Sequence, residues 1–438
     1  MRREARLALL GIIALLGLGI ASPALPQEPA PEPGMSASGS FDPEAATEAY
    51  LARMSPEARA RSDAYFEGGY WLQLWGFLYG LLVSWIFLGT GLSARMRDWA
   101  ERATRFRFLQ TFLYAAQYVV GAALLSLPWT IYTGFVREHK YGLSTQTFGA
   151  WLADQGKGLG LGLVLGGVSL CALYAVLRKA PRTWWVWGAV VSLLFVVLGV
   201  AIAPVFIEPL FNQYTELTDP ALREPILSLA RANGIPAEHV YVVDASRQTN
   251  RVSANVAGLF GTLRIALNDN LLKRTSKARV ESVMGHEMGH YVLNHIAEMI
   301  VFLGVVLVAG FAFLRWSFDR ALPRWGGRWG VRGVADPAGL PLFAALFSIY
   351  FFVLTPFLNT FIRTNEAEAD IFGLNAARQP DGFAEVALLL SEYRKMSPGP
   401  VEEWIFYDHP SGRARIRMAM EWKAENLQAS TYPAASAR

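Results

Sequence analysis

Six long runs of apolar residues divide the chain. A helix needs about 20 residues to cross a hydrocarbon core of about 30 Å, and each run is close to that length. The predicted spans are residues 70–92, 109–135, 159–177, 184–206, 298–314 and 339–361. Charged side chains are nearly absent from these runs. The pattern therefore predicts a mainly α protein, a polytopic membrane helical bundle.

Two stretches of mixed polar and apolar character flank the last two spans. In the first, residues 208–297, apolar positions at helical spacing predict a helix at 220–232, while YVVDAS, SANVAG and TLRIAL predict short strands. KARVESVMGHEMGHYVLNH is again helical in period, and so are three segments after the last span. Residues 208–297 and 363–428 are therefore predicted to form one soluble unit, interrupted by the two spans of 298–362.

The ends of the chain differ from these segments. Residues 1–24 combine a basic start, a short apolar run and small residues, which is the layout of a signal peptide; an uncleaved membrane anchor is the alternative. Residues 25–69 are assigned to a linker and juxtamembrane segment, because 26–40 is rich in Pro, Glu and Ser. Residues 70–207 then hold the first four spans, and 429–438 form a tail.

The chain carries 40 Lys and Arg against 36 Asp and Glu, so the location of the excess decides what it means. If the six spans alternate in direction, the basic loops fall on one side of the membrane. They contain Arg95, Arg97, Arg102, Arg105, Arg107, Arg178, Lys179, Arg182, Arg315, Arg320, Arg324, Arg328 and Arg332. This positive-inside pattern explains the basicity without a nucleic-acid partner. It predicts a bacterial inner-membrane protein whose soluble unit faces the periplasm.

The sequence HEMGH, residues 286–290, predicts a metal site. His286 and His290 lie one helical turn apart and can present their imidazoles to one ion, while Glu287 can take a proton from an activated water. Farther along the chain, NEAEAD places Glu366 and Asp370 one turn apart. One of these carboxylates can bind the metal while the other orients a ligating histidine. The pattern predicts one catalytic Zn²⁺ per chain.

Three further residues receive structural interpretations. His295 misses by one position the register of a third histidine ligand in metzincin-type sites, so it is interpreted as structural or surface. Glu368 is interpreted as a solvated side chain. Cys171 is the only cysteine, which excludes an intrachain disulfide or a CxxC metal site, and it is predicted to be buried among apolar residues.

HEMGH, NEAEAD and HPSGRAR together resemble the membrane-embedded zinc metallopeptidases of the type I CAAX prenyl endopeptidase family. The resemblance covers residues from about 60 to 425, including IAPVFIEPLFNQYTEL and RIALNDNLL. It implies a discontinuous, gluzincin-like α+β zinc metallopeptidase domain. It also implies that Glu366 is the third zinc ligand and that Asp370 supports the site. By the same resemblance, His409 and Arg415 would hold the substrate carbonyl or oxyanion.

The chain departs from this family in two respects. Where the family has an Asn-Ala-Tyr strand, this chain has Ser253, Ala254 and Asn255, although the edge of such a strand can still pair with a peptide backbone. Family precedent also places the metal on the cytosolic side of the membrane. The distribution of arginines favours the periplasmic side instead.

The predicted activity is hydrolysis of peptide bonds by a metal-activated water. The expected partners are the lipid bilayer and a peptide or protein substrate, either a membrane-associated or misfolded polypeptide or, where prenylated substrates exist, a CAAX-type one. The alternative is a non-catalytic scaffold, or a lipid or solute conduit, with a structural zinc site. A structural zinc site usually has four protein ligands including cysteine, and a transporter usually has charged residues at the bilayer midplane.

Overall fold

A computed structural model describes residues 41–257 and 263–431. The predicted signal peptide, the stretch 26–40 and the last residues of the tail lie outside these ranges. The helices are α1 (Pro43–Leu51), α2 (Pro56–Gly89), α3 (Leu92–Ala103), α4 (Arg107–Lys140), α5 (Phe148–Lys179), α6 (Trp184–Leu210), α7 (Pro220–Ala232), α8 (Asp269–Arg274), α9 (Lys277–Val292), α10 (His295–Trp329), α11 (Pro337–Ala377), α12 (Pro380–Leu390), α13 (Pro400–Phe406) and α14 (Gly412–Thr431). The strands are β1 (Tyr214–Glu216), β2 (Val240–Val243), β3 (Ala254–Ala257) and β4 (Arg264–Asn268).

Six of these helices, α2, α4, α5, α6, α10 and α11, are long and apolar enough to cross a membrane, with mean hydropathies from 1.6 to 2.9. Each coincides with one predicted span, so the polytopic helical bundle is confirmed. The helices extend beyond the apolar runs because polar turns continue them outside the hydrocarbon. For example, α2 begins where Ser55 caps the helix and Pro56 occupies its first position.

The soluble segments lie at one end of the six spans. At this end Arg251, which precedes β3, donates to Glu138 at the end of α4, with 2.7 Å between Nη2 and Oε2. Ser62 in α2 donates to the carbonyl of Arg394 at 3.0 Å. These contacts join the first third of the chain to the middle and last thirds above the same face of the bundle.

The short basic loops lie together at the opposite end. Arg97 in α3 forms an ion pair with Asp336, just before α11, and Arg315 donates to the carbonyl of Arg182 at 3.1 Å. The spans therefore alternate in direction, and the basic loops share one side, as predicted from the sequence.

The first half of the soluble unit is a small sheet covered by helices. Its strand order is β1-β2-β4-β3, with β2 and β4 parallel and the two outer pairings antiparallel, so β3 forms an edge. The predicted helix at 220–232 is α7, which Asp219 caps and Pro220 opens. Fully buried Ile226, Ile265 and Met284 join α7, the sheet and α9 in one core.

The described part of the linker and juxtamembrane segment, residues 41–69, is largely helical. Residues 43–51 form α1, and α2 already begins at Pro56. Fully buried Ala46 and nearly buried Tyr50 pack in one apolar cluster with residues of α12 and α14. The stretch rich in Pro, Glu and Ser ends at residue 40, and Asp42 then caps a new helix whose apolar face belongs to the soluble unit.

Two boundaries near the metal motif also differ from the prediction. The sequence shows no strong breaker after HEMGH, yet α9 ends at Val292 and α10 begins at His295, because Asn294 adopts a left-handed conformation with φ of 62°. In contrast, α11 continues through the predicted boundary at residue 362 without a break. One helix therefore provides both the last span and Glu366.

Candidate metal centre

The close crossing of α9 and α11 positions the site. A Cβ added at Gly373 of α11 would lie 2.7 Å from the backbone nitrogen of His286, and one added at Gly285 of α9 would lie 2.9 Å from the carbonyl oxygen of Gly373. No real side chain fits at such distances. The glycines therefore let the two backbones approach until the histidines of α9 face the carboxylates of α11.

Three side chains converge at this crossing. The Nε2 atoms of His286 and His290 are 3.2 Å apart. Oxygens of Glu366 lie 3.3 Å from Nε2 of His286 and 3.5 Å from Nε2 of His290. Ligands about 2.0–2.1 Å from a tetrahedral zinc ion are separated from one another by about 3.3 Å. Among the described residues, the buried Oε2 atom of Glu366 has no hydrogen-bond partner, and the donor set therefore fits zinc.

Asp370 and Arg415 stand behind the first histidine. Asp370 is fully buried, and its Oδ1 lies 2.7 Å from Nδ1 of His286. This contact fixes the imidazole so that Nε2 faces the metal position. Arg415 donates to the same oxygen of Asp370, while its Nε is buried with no hydrogen-bond partner. Arg415 thus contacts Asp370 directly, a contact that the sequence did not indicate.

His295 and Glu368 stand behind the second histidine. Nδ1 of buried His295 lies 2.9 Å from Nδ1 of His290, and its Nε2 lies 3.3 Å from Oε2 of Glu368. If Nε2 of His290 faces the metal position, its Nδ1–H donates to Nδ1 of His295. Nε2–H of His295 then donates to Glu368. His295 is structural, as predicted, and the side chain of Glu368 is 53% exposed. Their contact with a ligand was missed because it depends on the turn at Asn294.

The environment shifts the pKa values of the motif. Burial raises the pKa of Glu287 to about 7, although the charges of His286 and Arg415 oppose the shift. Burial and the charge of His286 lower the pKa of His290 to about 4, which leaves a neutral imidazole able to bind a metal. Burial also lowers the pKa of His286, but its hydrogen bond with Asp370 and its contact with the carboxylate of Glu366 outweigh burial and raise the value to about 10. A metal ion would take the place of the proton between His286 and Glu366.

His409 lies beside the third carboxylate. Its Nε2 is 3.1 Å from Oε2 of Glu366, and its Nδ1 is 2.8 Å from Oδ1 of Asp408. The side chain is 24% exposed, so one edge of the ring faces open space. The structure therefore brings His409 to the same group as His286, His290 and Glu366.

A pocket of about 220 Å³ opens beside Glu287, His409 and Arg415. Ser253 and Ala254 line it, together with apolar residues of α9 and α12, whereas Asn255 does not. Neighbouring residues of a strand point to opposite faces, and the side-chain oxygen of Asn255 is buried without a partner. Of the three strand residues predicted to bind substrate, the structure thus places two at the pocket.

A second cleft, of about 300 Å³, lies on the other side of His290 and Glu366. It is formed between α6, α10 and α11, and most of its lining is apolar: Val196, Val200, Ile296, Met299, Ile300, Leu303 and Ile362. The ligand group thus stands between a pocket of the soluble unit and an apolar cleft among the spans. The lone cysteine, Cys171, is buried in α5, as predicted.

Family models match most of the chain. Residues 43–213 match the model described as CAAX prenyl protease N-terminal, five membrane helices, and residues 216–423 match peptidase family M48. An uncharacterized metalloprotease of Bacillus subtilis, YhfN, is 31% identical over 352 residues, 78% of this chain and 82% of the relative. CAAX prenyl protease 1 of Saccharomyces cerevisiae is 29% identical over 325 residues, 69% of this chain and 70% of the relative.

One solved structure has the same fold. The crystal structure of Ste24p from S. mikatae superposes with a TM-score of 0.71 at 24% sequence identity. The match covers 84% of this chain and 89% of that chain. The arrangement of spans around an interrupted soluble unit is therefore shared.

Proposed function

The chain belongs to peptidase family M48, and from this premise and the geometry of the metal centre we propose that it is a zinc-dependent endopeptidase acting on membrane-associated polypeptides. Membership makes it a metalloprotease built into a membrane, and the predicted resemblance is confirmed. The observation that supports zinc best is the convergence of the donor atoms: the two Nε2 atoms are 3.2 Å apart, and Oε2 and Oε1 of Glu366 lie 3.3 Å from Nε2 of His286 and 3.5 Å from Nε2 of His290. Under this proposal His286, His290 and Glu366 hold the ion.

The surrounding residues divide the proton transfers and the charge stabilisation. Zinc, when bound, supplies Lewis-acid activation of water and of the scissile carbonyl. Glu287 takes a proton from the attacking water and delivers it to the leaving amine nitrogen. A carboxyl pKa of about 7 suits both roles near neutral pH. Nε2 of His409 donates to the developing oxyanion, a contribution typically worth about 3 kcal/mol per donor.

Asp370 and Arg415 act behind this group. Asp370 orients His286 through Nδ1, and Arg415 balances the charge of the buried Asp370. Arg415 also lines the pocket, and within the described residues the hydrogen bond to Asp370 uses only its Nη2. The oxyanion role of Arg415 is therefore proposed for the N–H groups of its guanidinium that this bond leaves free.

The substrate is proposed to bind along β3. No described strand pairs with the outer edge of β3, so a peptide backbone can add there beside Ser253 and Ala254. A substrate side chain would occupy the apolar pocket, and an apolar segment of the same substrate would occupy the cleft among α6, α10 and α11. This pairing of sites favours polypeptides embedded in or attached to the bilayer. Processing of prenylated CAAX proteins is the related possibility where such substrates exist.

The non-catalytic scaffold or conduit is not favoured. The family is one of peptidases, and the carboxylate of Glu287 lies beside the ligands at a pocket, where a purely structural zinc site needs none.

The location is part of the proposal. We propose the bacterial inner membrane with the metal centre on the periplasmic side, because the basic loops lie at the opposite end of the spans. Reporter fusions at the C-terminus test this orientation. A C-terminal reporter that works only in the periplasm should therefore be active. If instead only a reporter that works in the cytoplasm is active, the proposal is reversed and the orientation agrees with family precedent.

The experiment that tests the activity compares the wild type with Glu287→Gln, both purified in detergent. Both proteins should contain about one zinc per chain, because the ligands are unchanged. Turnover of a peptide should fall by about 10²–10⁴ in the variant, the usual contribution of a general acid–base. Wild-type turnover in Glu287→Gln would contradict the proposed role, and turnover that persists after zinc removal would contradict the proposed metal.

A further inference from the structure

A basic cavity lies at the end of the spans opposite to the metal centre. It measures about 650 Å³ and lies between α3, the start of α4, the end of α5 and the loop before α11. Five arginines line it, against two carboxylates: Arg97, Arg105, Arg107, Arg178 and Arg332. The cavity is therefore positive beyond the general excess of basic residues on this side.

Two of these arginines are neutralised within the protein. Buried Arg97 forms ion pairs with Asp336 and Asp98. Arg332 forms an ion pair with Glu101, with 2.7 Å between Nη1 and Oε1. These contacts close one wall of the cavity and account for both of its carboxylates.

The other three arginines are not neutralised. Within residues 41–257 and 263–431, no carboxylate lies within ion-pair distance of Arg105, Arg107 or Arg178. Arg178 is half-buried, and its guanidinium donates to the hydroxyl of Thr111 at 3.2 Å. A cation at a membrane boundary is stabilised by an anion, and guanidinium groups match the geometry of phosphate oxygens.

Apolar side chains adjoin these three cations. Arg107 begins α4 and Arg178 lies one residue before the end of α5, so both stand where a span leaves the hydrocarbon. Phe106, Phe108 and Leu109, the neighbours of Arg107 in the sequence, are 57%, 55% and 43% exposed. A molecule that matches this surface has an anionic group and an apolar part.

We propose that this cavity binds the headgroup phosphate of an anionic phospholipid, with its acyl chains against Phe108 and Leu109. Basic pockets between spans are suited to such headgroups. A zwitterionic phospholipid is a poorer match, because its ammonium group would meet three uncompensated guanidinium groups. Inorganic phosphate has no part that would occupy the apolar surface. The site is separate from the metal centre and does not depend on the proposed peptidase activity.

Native mass spectrometry of the purified full chain tests the proposal with dioleoylphosphatidylglycerol, dioleoylphosphatidylcholine and sodium phosphate as probes. The wild type should retain phosphatidylglycerol at least about tenfold more tightly than phosphatidylcholine, and millimolar phosphate should not displace it. Replacing all three cations, in Arg105→Gln/Arg107→Gln/Arg178→Gln, should weaken phosphatidylglycerol binding roughly 100-fold, since each arginine near an anionic headgroup contributes about fivefold.

The matched control removes the same charge from the same side of the membrane. Arg102, Lys179 and Arg182 are exposed and do not line the cavity, so Arg102→Gln/Lys179→Gln/Arg182→Gln should bind phosphatidylglycerol within about threefold of the wild type. An equal loss in the control would show unspecific attraction and overturn the site. Equal retention of the two lipids by the wild type, or displacement by phosphate, would overturn it even if the cavity variant did not fold.

Discussion

At the scale of residues, the two histidines of the motif are held by different partners. A buried carboxylate, Asp370, orients His286, whereas His290 contacts a second imidazole, His295, which in turn contacts a half-exposed Glu368. A neutral imidazole is a weaker acceptor than a carboxylate. The orientation of His290 therefore depends on a chain of two hydrogen bonds, of which one reaches solvent.

This arrangement predicts the effect of removing His295. We expect His295→Ala to weaken zinc binding by about 10–100-fold, the usual effect of losing the partner of a ligating histidine, because Nδ1 of His290 loses its acceptor. Competition with a chromogenic chelator measures the affinity without reference to activity. His295→Gln, whose amide oxygen can accept the same hydrogen bond, should recover part of the loss.

His239→Ala is the control, because His239 is exposed and its ion pair, with Glu216, involves no residue of the metal centre. Zinc affinity equal to that of the wild type in His295→Ala would contradict the positioning role of His295.

The residues around the proposed metal position could be predicted from the sequence, whereas the residues that hydrogen-bond to them could be predicted only in part. Spacing along one helix predicts His286, Glu287 and His290, and the resemblance adds Glu366 across two spans. The link from His290 to His295 depends on a single left-handed residue, Asn294, that reverses the chain between them. His295 misses the metzincin register by one position, and no sequence motif marks a histidine that contacts Nδ1 of His290 rather than the metal position.

At the scale of elements, the crossing of α9 and α11 requires glycine at its closest point. We expect Gly373→Ala to lower zinc affinity and peptide turnover together by at least about tenfold, because the new methyl group would meet the backbone of His286 and separate the two helices. Alanine is a better helix former than glycine by about 1 kcal/mol, so a loss cannot be attributed to helix propensity.

Gly158→Ala in α5 is the matched control, since nothing lies within 4 Å of a Cβ added there. It should leave zinc affinity unchanged. Normal zinc affinity in Gly373→Ala would mean that the crossing tolerates a wider separation than the contacts indicate.

Helices were predicted correctly where the sequence itself marks them, by a capping residue at the first turn or by an apolar run long enough to span the membrane. Asp219 and Pro220 start α7 at the predicted residue, and hydrophobic length predicts all six spans. In contrast, β1 has three residues and no pattern of its own, and its pairing with β2 defines it. Composition indicates a linker for residues 26–40 only, and the helix α1 that follows in the juxtamembrane segment was not predicted.

At the scale of the whole molecule, the soluble unit is assembled from three separate parts of the chain. Helix α1 precedes all six described spans, yet it packs on α12 and α14, which follow all six. Tyr50 is central to this contact, with its ring 3% exposed and its hydroxyl donating to Asp381 at 2.8 Å. The ends of the described chain are therefore joined above the bundle.

The packing of α1 on α12 and α14 predicts that Tyr50, although far from the active site, contributes to the free energy of unfolding. We expect Tyr50→Ala to destabilise the soluble unit by about 3–5 kcal/mol, as for other buried aromatic side chains. Tyr50→Phe keeps the ring and should cost only about 1 kcal/mol, the value of one hydrogen bond. Thermal unfolding in detergent, followed by tryptophan fluorescence, measures both variants. Equal unfolding temperatures for wild type and Tyr50→Ala would mean that α1 is not a structural part of the unit.

The continuity of α11 has a consequence for how the enzyme responds to its surroundings. Glu366 stands five residues beyond the last predicted membrane residue, or about 7.5 Å of helix, with no hinge between them. A thinner or thicker bilayer tilts or shifts its spanning helices. Such a displacement would change the position of this carboxylate relative to the two imidazoles, which lie on a separate helix, so lipid thickness becomes a physical variable of metal binding.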